Sequence, residues 1–153
     1  MNLIPQIDWS IAALHIRDLL IAFVLAVPIG WDREKQERTA GLRTFPLVAV
    51  AACGYMLVGL HVLESTEAES RVMEGIITGI GFIGGGAILK NVVKGESYVR
   101  GTATAASLWL TGAIGLSVAA GMLEIALVLS AVTFITLRIL TEAKTMVKQP
   151  GDK

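Results

Sequence analysis

Hydrophobic positions along this chain fall in long, nearly uninterrupted blocks, and charged residues are confined to short clusters between them. Five blocks can be delimited, at residues 10–31, 44–63, 72–89, 102–118 and 122–140. Crossing a hydrocarbon core about 30 Å thick takes about 20 mostly apolar residues in a helix. A helix on the surface of a soluble protein shows a polar stripe at the 3.6-residue period, and neither 44–63 nor 102–121 has one. The pattern predicts an all-α, polytopic membrane protein of about five transmembrane helices, forming a single transmembrane domain over residues 1–153. The third block is the weakest by length and holds Glu74 near its start. The last two blocks nearly merge, but a helix of 39 residues would be about 58 Å long. A turn is therefore expected near Ala119-Ala120-Gly121, where glycine supplies the backbone freedom of a tight hairpin.

Composition sharpens this picture. The chain is 54% hydrophobic and 17% charged, with a mean hydropathy of +0.65, against about 45–50% apolar and about 25% charged in soluble domains. Zero net charge offers no basic surface for nucleic acid. A lone cysteine, Cys53, and two separated histidines give neither a disulfide within the chain nor a metal cluster, and nothing calls for a cofactor. The charge clusters set a direction. Arg33, Lys35, Arg38 and Arg43, then Lys90, Lys94 and Arg100, then Arg138, Lys144, Lys148 and Lys153 all fall on one side of a five-span arrangement. The other side has only Arg17 and Arg71 among several glutamates. The positive-inside rule then puts the N-terminus outside and the C-terminus in the cytoplasm. Asp8 stands where a cleavable leader carries basic residues, so the first block is expected to stay as a span.

The chemistry-bearing residues concentrate in three places. The third block carries Gly75, Gly79, Gly81, Gly84, Gly85 and Gly86. Residues 79–84 match the G-x-G-x-x-G dinucleotide pattern by letter, but that pattern needs a strand-to-helix turn, which this run does not offer. Pairs four apart, Gly75 with Gly79 and Gly81 with Gly85, strip one helix face of bulk, and in lipid such faces drive helix association. The competing reading is unwound glycine backbone lining a cavity. The fourth block repeats the small-residue theme with Gly101, Gly112 and Gly115, and its Thr104, Ser107 and Thr111 can bond backbone carbonyls. The first basic cluster joins Asp32, Arg33, Glu34, Arg38, Gly41, Arg43 and Thr44. If the helix runs on, Arg33–Glu37 and Glu34–Arg38 form i, i+4 pairs, Gly41 ends it and Thr44 caps the next. This loop reads either as a solvated connection touching anionic lipid or as a polar site. In the second case its arginines bind an anion or partner, or Asp32 and Glu34 offer oxygens to Mg²⁺. Arg17 and Glu74 lie at membrane depth, where charges pair or face polar cavities, so an Arg17–Glu74 pair is expected, against independent snorkelling of the two.

Three ordered blocks carry a family resemblance. Gly30-Trp31-Asp32-Arg33-Glu34 with Arg38-Thr39-Ala40-Gly41-Leu42-Arg43-Thr44, then Arg71 to Gly75 with the Gly79–Gly86 run, then Gly101 to Trp109 together resemble the MgtC/SapB family. The chain is similar to its short, SapB-like branch, without the soluble C-terminal domain of longer members. The resemblance implies a bacterial inner-membrane protein linked to growth at low magnesium and to virulence. It also implies a regulator of another membrane complex such as the ATP synthase, and it places Thr104 and Trp109 with the glycines in helix packing. Three functions follow for weighing: a regulator acting by contact, an ion (Mg²⁺ or H⁺) transporter or channel using the glycine-rich helix and Glu74, and a structural subunit of a homo-oligomer. An enzyme is not expected, for no nucleophile stands with a paired histidine and acid.

Overall fold

In the computed structural model, which describes residues 7–93 and 96–147, five helices and one short hairpin follow the charge and hydropathy blocks closely. The helices are α1 (Trp9–Lys35), α2 (Thr44–Val62), α3 (Thr66–Gly86), α4 (Thr102–Ala119) and α5 (Leu123–Val147). Four of them are long and apolar enough to cross a membrane: α1, α2, α4 and the Leu123–Leu140 part of α5. The third block differs from its expected bounds. Its helix begins six residues early, at Thr66, because Ser65 caps it by accepting the Ala68 N–H at 3.2 Å. The first nine residues of α3 thus include Glu67, Glu69, Arg71 and Glu74. The charge-free part, Gly75 to Gly86, is about 18 Å long at 1.5 Å per residue.

Two helix boundaries have clear local causes. Asp8 caps α1 by accepting the Ser10 N–H at 2.9 Å and the Ile11 N–H at 3.4 Å. Gly121 takes φ +73° between α4 and α5, which is the expected hairpin turn. The segment expected as a basic loop after α3 is instead an antiparallel hairpin, β1 (Leu89–Val93) with β2 (Glu96–Arg100), in the register Leu89↔Arg100 to Val93↔Glu96. Its Val92, Tyr98 and Val99 favour extended backbone. Lys94, Lys148 and Lys153 lie outside the described residues.

α4 is the central helix. Leu108, Ile114 and Val118 are buried on it, and small residues let its neighbours close in. At Gly115 an added Cβ would run into the Ala49 carbonyl of α2 and lie 3.0 Å from the Ala52 Cβ, so only glycine permits this approach. Two of its buried hydroxyls are satisfied locally, Ser107 donating to the Thr104 carbonyl (2.9 Å) and Thr111 to the Ser107 carbonyl (2.8 Å). Between helices, Ser130 of α5 donates to the Leu25 carbonyl of α1 at 2.7 Å. One level further on, Arg33 of α1 meets the Leu137 carbonyl at 3.5 Å. Contacts that advance together along both helices mean that α1 and α5 run parallel.

Candidate functional site

The polar cluster at the end of α1 folds into a closed junction. Gln36 ends the helix, and Glu37 takes a left-handed φ of +51°, turning the chain back. Arg33 is only 2% exposed. Its guanidinium bonds the adjacent Asp32 carboxylate through Nε at 3.1 Å and again through Nη2, which also reaches the Leu137 carbonyl. Gln36 Nε2 donates to the same Asp32 oxygen at 3.0 Å. Glu34 accepts the Leu42 N–H at 2.9 Å, and a Cβ on Gly41 would run into that carboxylate. Thr39 Oγ1 donates to the Ala87 carbonyl at 3.4 Å, tying this turn to the end of α3.

These contacts replace the pairs read from spacing. Arg33 does not pair with Glu37, because it points into the bundle between α1 and α5. Glu34 does not pair with Arg38, because its carboxylate closes the turn on Leu42; Arg38 donates to Gln36 Oε1 at 3.3 Å. Gly41 does not end α1. Thr44 is not the cap of α2, since Arg43 occupies that position without a side-chain cap bond and the Gly41 carbonyl accepts the Thr44 and Phe45 N–H groups. One oxygen of Asp32 and one of Glu34 are engaged with protein donors. Among the described residues, no group of three or more acidic, His or Cys side chains is placed to hold a metal.

Arg17 bonds its neighbour Asp18 at 2.8 Å rather than Glu74, because α1 packs on α2, α4 and α5 and not closely on α3. Glu74 is exposed. His15 of α1 and His61 of α2 meet edge to face with centroids 6.3 Å apart.

The glycines of α3 divide sharply. Gly84 packs on Ala105 of α4, with an added Cβ only 3.3 Å from the Ala105 carbonyl oxygen. Added Cβ atoms on Gly75, Gly79, Gly81, Gly85 and Gly86 would meet nothing within 4 Å. Within the chain these five are uncovered, because α3 leans on α4 through Ile80 and Gly84 and leaves its other sides open. Gly101 serves conformation: it takes φ +94° ahead of α4, and a Cβ there would strike the Ala87 carbonyl. Thr104 is buried as expected, whereas Trp109 is 53% exposed and lies beside Ile77 and Ile80 of α3.

Two open faces result on α3. Glu74, Thr78, Gly81 and Gly85, at i, i+4, i+7 and i+11, form an outward stripe on one helix face. Gly75, Gly79, Phe82 and Gly86 form the other, beside α2. The sequence showed the glycines but not which were covered. It also did not reveal Gln36 and the Leu137 carbonyl as partners of the buried pair, although Gln36 lies at i+4 from Asp32.

The MgtC family model matches residues 19–146. The chain is similar to protein SrpB of Synechococcus elongatus, 35% identical over 148 residues, covering 90% of this chain and 80% of SrpB. It is similar to protein MgtC of Salmonella typhimurium, 34% identical over 135 residues, covering 88% of this chain and 56% of that protein. With protein MgtC of Brucella abortus it shares 40% identity over 103 residues, 67% of this chain and 41% of the relative. The chain thus spans about half the length of these two MgtC proteins. No solved structure matches it.

Proposed function

The chain belongs to the MgtC family and is a multi-pass membrane protein, and from that premise we propose that it regulates another membrane complex by direct contact in the bacterial inner membrane. The observation carrying this reading is the uncovered outward face of α3, where Gly81 and Gly85 have open space around them beside the exposed Glu74. Bare backbone allows a partner helix to approach closely, and in lipid such contact is a main source of association. The Glu74 carboxylate at the end of the same face gives the partner a polar group to recognise. The role would belong to the adaptation to low magnesium that the family resemblance implies, with the ATP synthase as a candidate complex.

The transport reading asks for Glu74 on an ion path. Glu74 lies outside the bundle, so such a path would have to form between copies of the chain. Its test is Mg²⁺ flux into liposomes with Glu74→Gln alongside: flux lost in the variant would replace the regulatory reading. The regulatory reading is tested by purifying tagged protein from native membranes with and without Gly85→Leu. That position is open, so the variant should fold and lose a co-purifying membrane complex. Retention of the complex by a folded variant would refute contact through this face.

A further inference from the structure

α3 touches α2 only toward one end, where an added Cβ on Gly59 would lie 3.3 Å from Val72. Toward the other end the two helices stand apart, leaving an apolar groove of about 990 Å³. Leu47, Ala51 and Tyr55 of α2 form one wall, and Gly75, Gly79 and Phe82 of α3 the other. Phe82 is 86% exposed at the rim. The groove ends at Arg43 and Thr44. Among the described residues Arg43 makes no ion pair, and it is exposed at the N-terminus of α2, where the helix dipole adds positive potential.

We propose that this groove binds a phospholipid with an anionic headgroup, its acyl chains between α2 and α3 and its phosphate at Arg43. Length and lining suit this occupant. Lining residues from Thr44 to Val62 cover about 27 Å along α2 at 1.5 Å per residue, and they are almost all apolar. Extended hydrocarbon chains, about 4–5 Å across from carbon contact distances, can lie along such a groove. The wide part of the groove, from Arg43 to Tyr55, is about 18 Å deep, close to half the hydrocarbon thickness. That suits a lipid of the leaflet on the Arg43 side. The glycines deepen the wall where side chains would fill it, and Arg43, the cation among the lining residues, selects the headgroup.

The site lies on a different face of α3 from Gly85 and needs no protein partner, so its failure and that of the regulatory reading are separable. The test is native mass spectrometry of the purified protein with phosphatidylglycerol or phosphatidylcholine of matched chains. The wild type should retain phosphatidylglycerol with about a fivefold preference, the equivalent of about 1 kcal/mol for one basic residue at the headgroup. Arg43→Ala should keep lipid and lose the preference. Gly79→Leu or, as a second variant, Gly75→Leu should lose both lipids while circular dichroism shows unchanged helicity. Arg71→Ala, paired with Glu67 away from the groove, should match the wild type. Equal retention of the two lipids by the wild type would overturn the proposal. So would lipid binding in folded Gly79→Leu and Gly75→Leu at the wild-type level, or a lipid-free dimer that these variants dissociate, which would make a second copy the occupant.

Discussion

Replacing Asp32 with Asn changes one thing at the junction, the charge facing Arg33. The substitution is isosteric and keeps an oxygen able to accept a hydrogen bond. Arg33 is 2% exposed and Asp32 6%, so water cannot take over the lost charge. Breaking a buried ion pair from one side costs about 3–5 kcal/mol, because the remaining charge stays buried without compensation. The retained oxygen puts Asp32→Asn near the lower end, about 3 kcal/mol. At about 2–4 °C per kcal/mol for a chain of this length, the melting temperature should fall by about 6–12 °C. Replacing both partners, as Asp32→Leu with Arg33→Met, removes the charge and its counter-charge together. That double variant should melt within about 3 °C of the wild type, since apolar replacement of a whole buried pair is often neutral. Loss of monodisperse protein on heating in detergent gives the readout. An Asp32→Asn protein melting within about 2 °C of the wild type, against the expected loss, would show that Arg33 does not depend on this carboxylate. A double variant as damaged as the single one would refute the argument from buried charge.

Three further outcomes are expected. Gly115→Ala should cost about 1–3 kcal/mol through overpacking, since the new methyl meets the Ala49 carbonyl; a melting temperature equal to the wild type would mean α2 and α4 do not approach this closely. The bonds from the Ser10 hydroxyl and from the Ile11 and Ser10 N–H groups hold the Asp8 carboxyl below its ordinary value. The cap is therefore present above the unfolded carboxyl pKa of about 3.9 and lost as pH falls through the lower folded value. Hydrogen exchange at Ser10 and Ile11 should show steady protection from pH 7 to about 4 and a loss below it; a loss already at pH 6 would contradict this. A reporter enzyme fused after Lys153 should give a cytoplasmic signal, and a periplasmic one would overturn the five-span orientation.

Helices were legible because their signals are local and redundant. The length of each apolar run and the turn at Gly121 lie within a few residues of the boundary they set, whereas the start of α3 at the Ser65 cap lies inside a charged stretch and was not legible from hydropathy. Partners across the fold were not legible. Arg33 reads from spacing as half of a surface pair, and only the approach of α5 makes it a buried group bonded to the Leu137 carbonyl. The same holds for the glycines of α3: a G-x-x-x-G spacing says that a face is bare, not whether another helix lies on it. The hairpin after Leu89 escaped notice because its basic residues suggested a loop, although Val92, Val93, Tyr98 and Val99 favour strand.

The most direct test of the account is site-specific photo-crosslinking in native membranes, with a photoreactive side chain at Gly85 and a control at the lipid-facing Leu127 of α5, which is 57% exposed. Contact through the outward face of α3 predicts one discrete adduct with another membrane protein from position 85 and none from 127. No adduct from position 85, or the same smear from both positions, would contradict it.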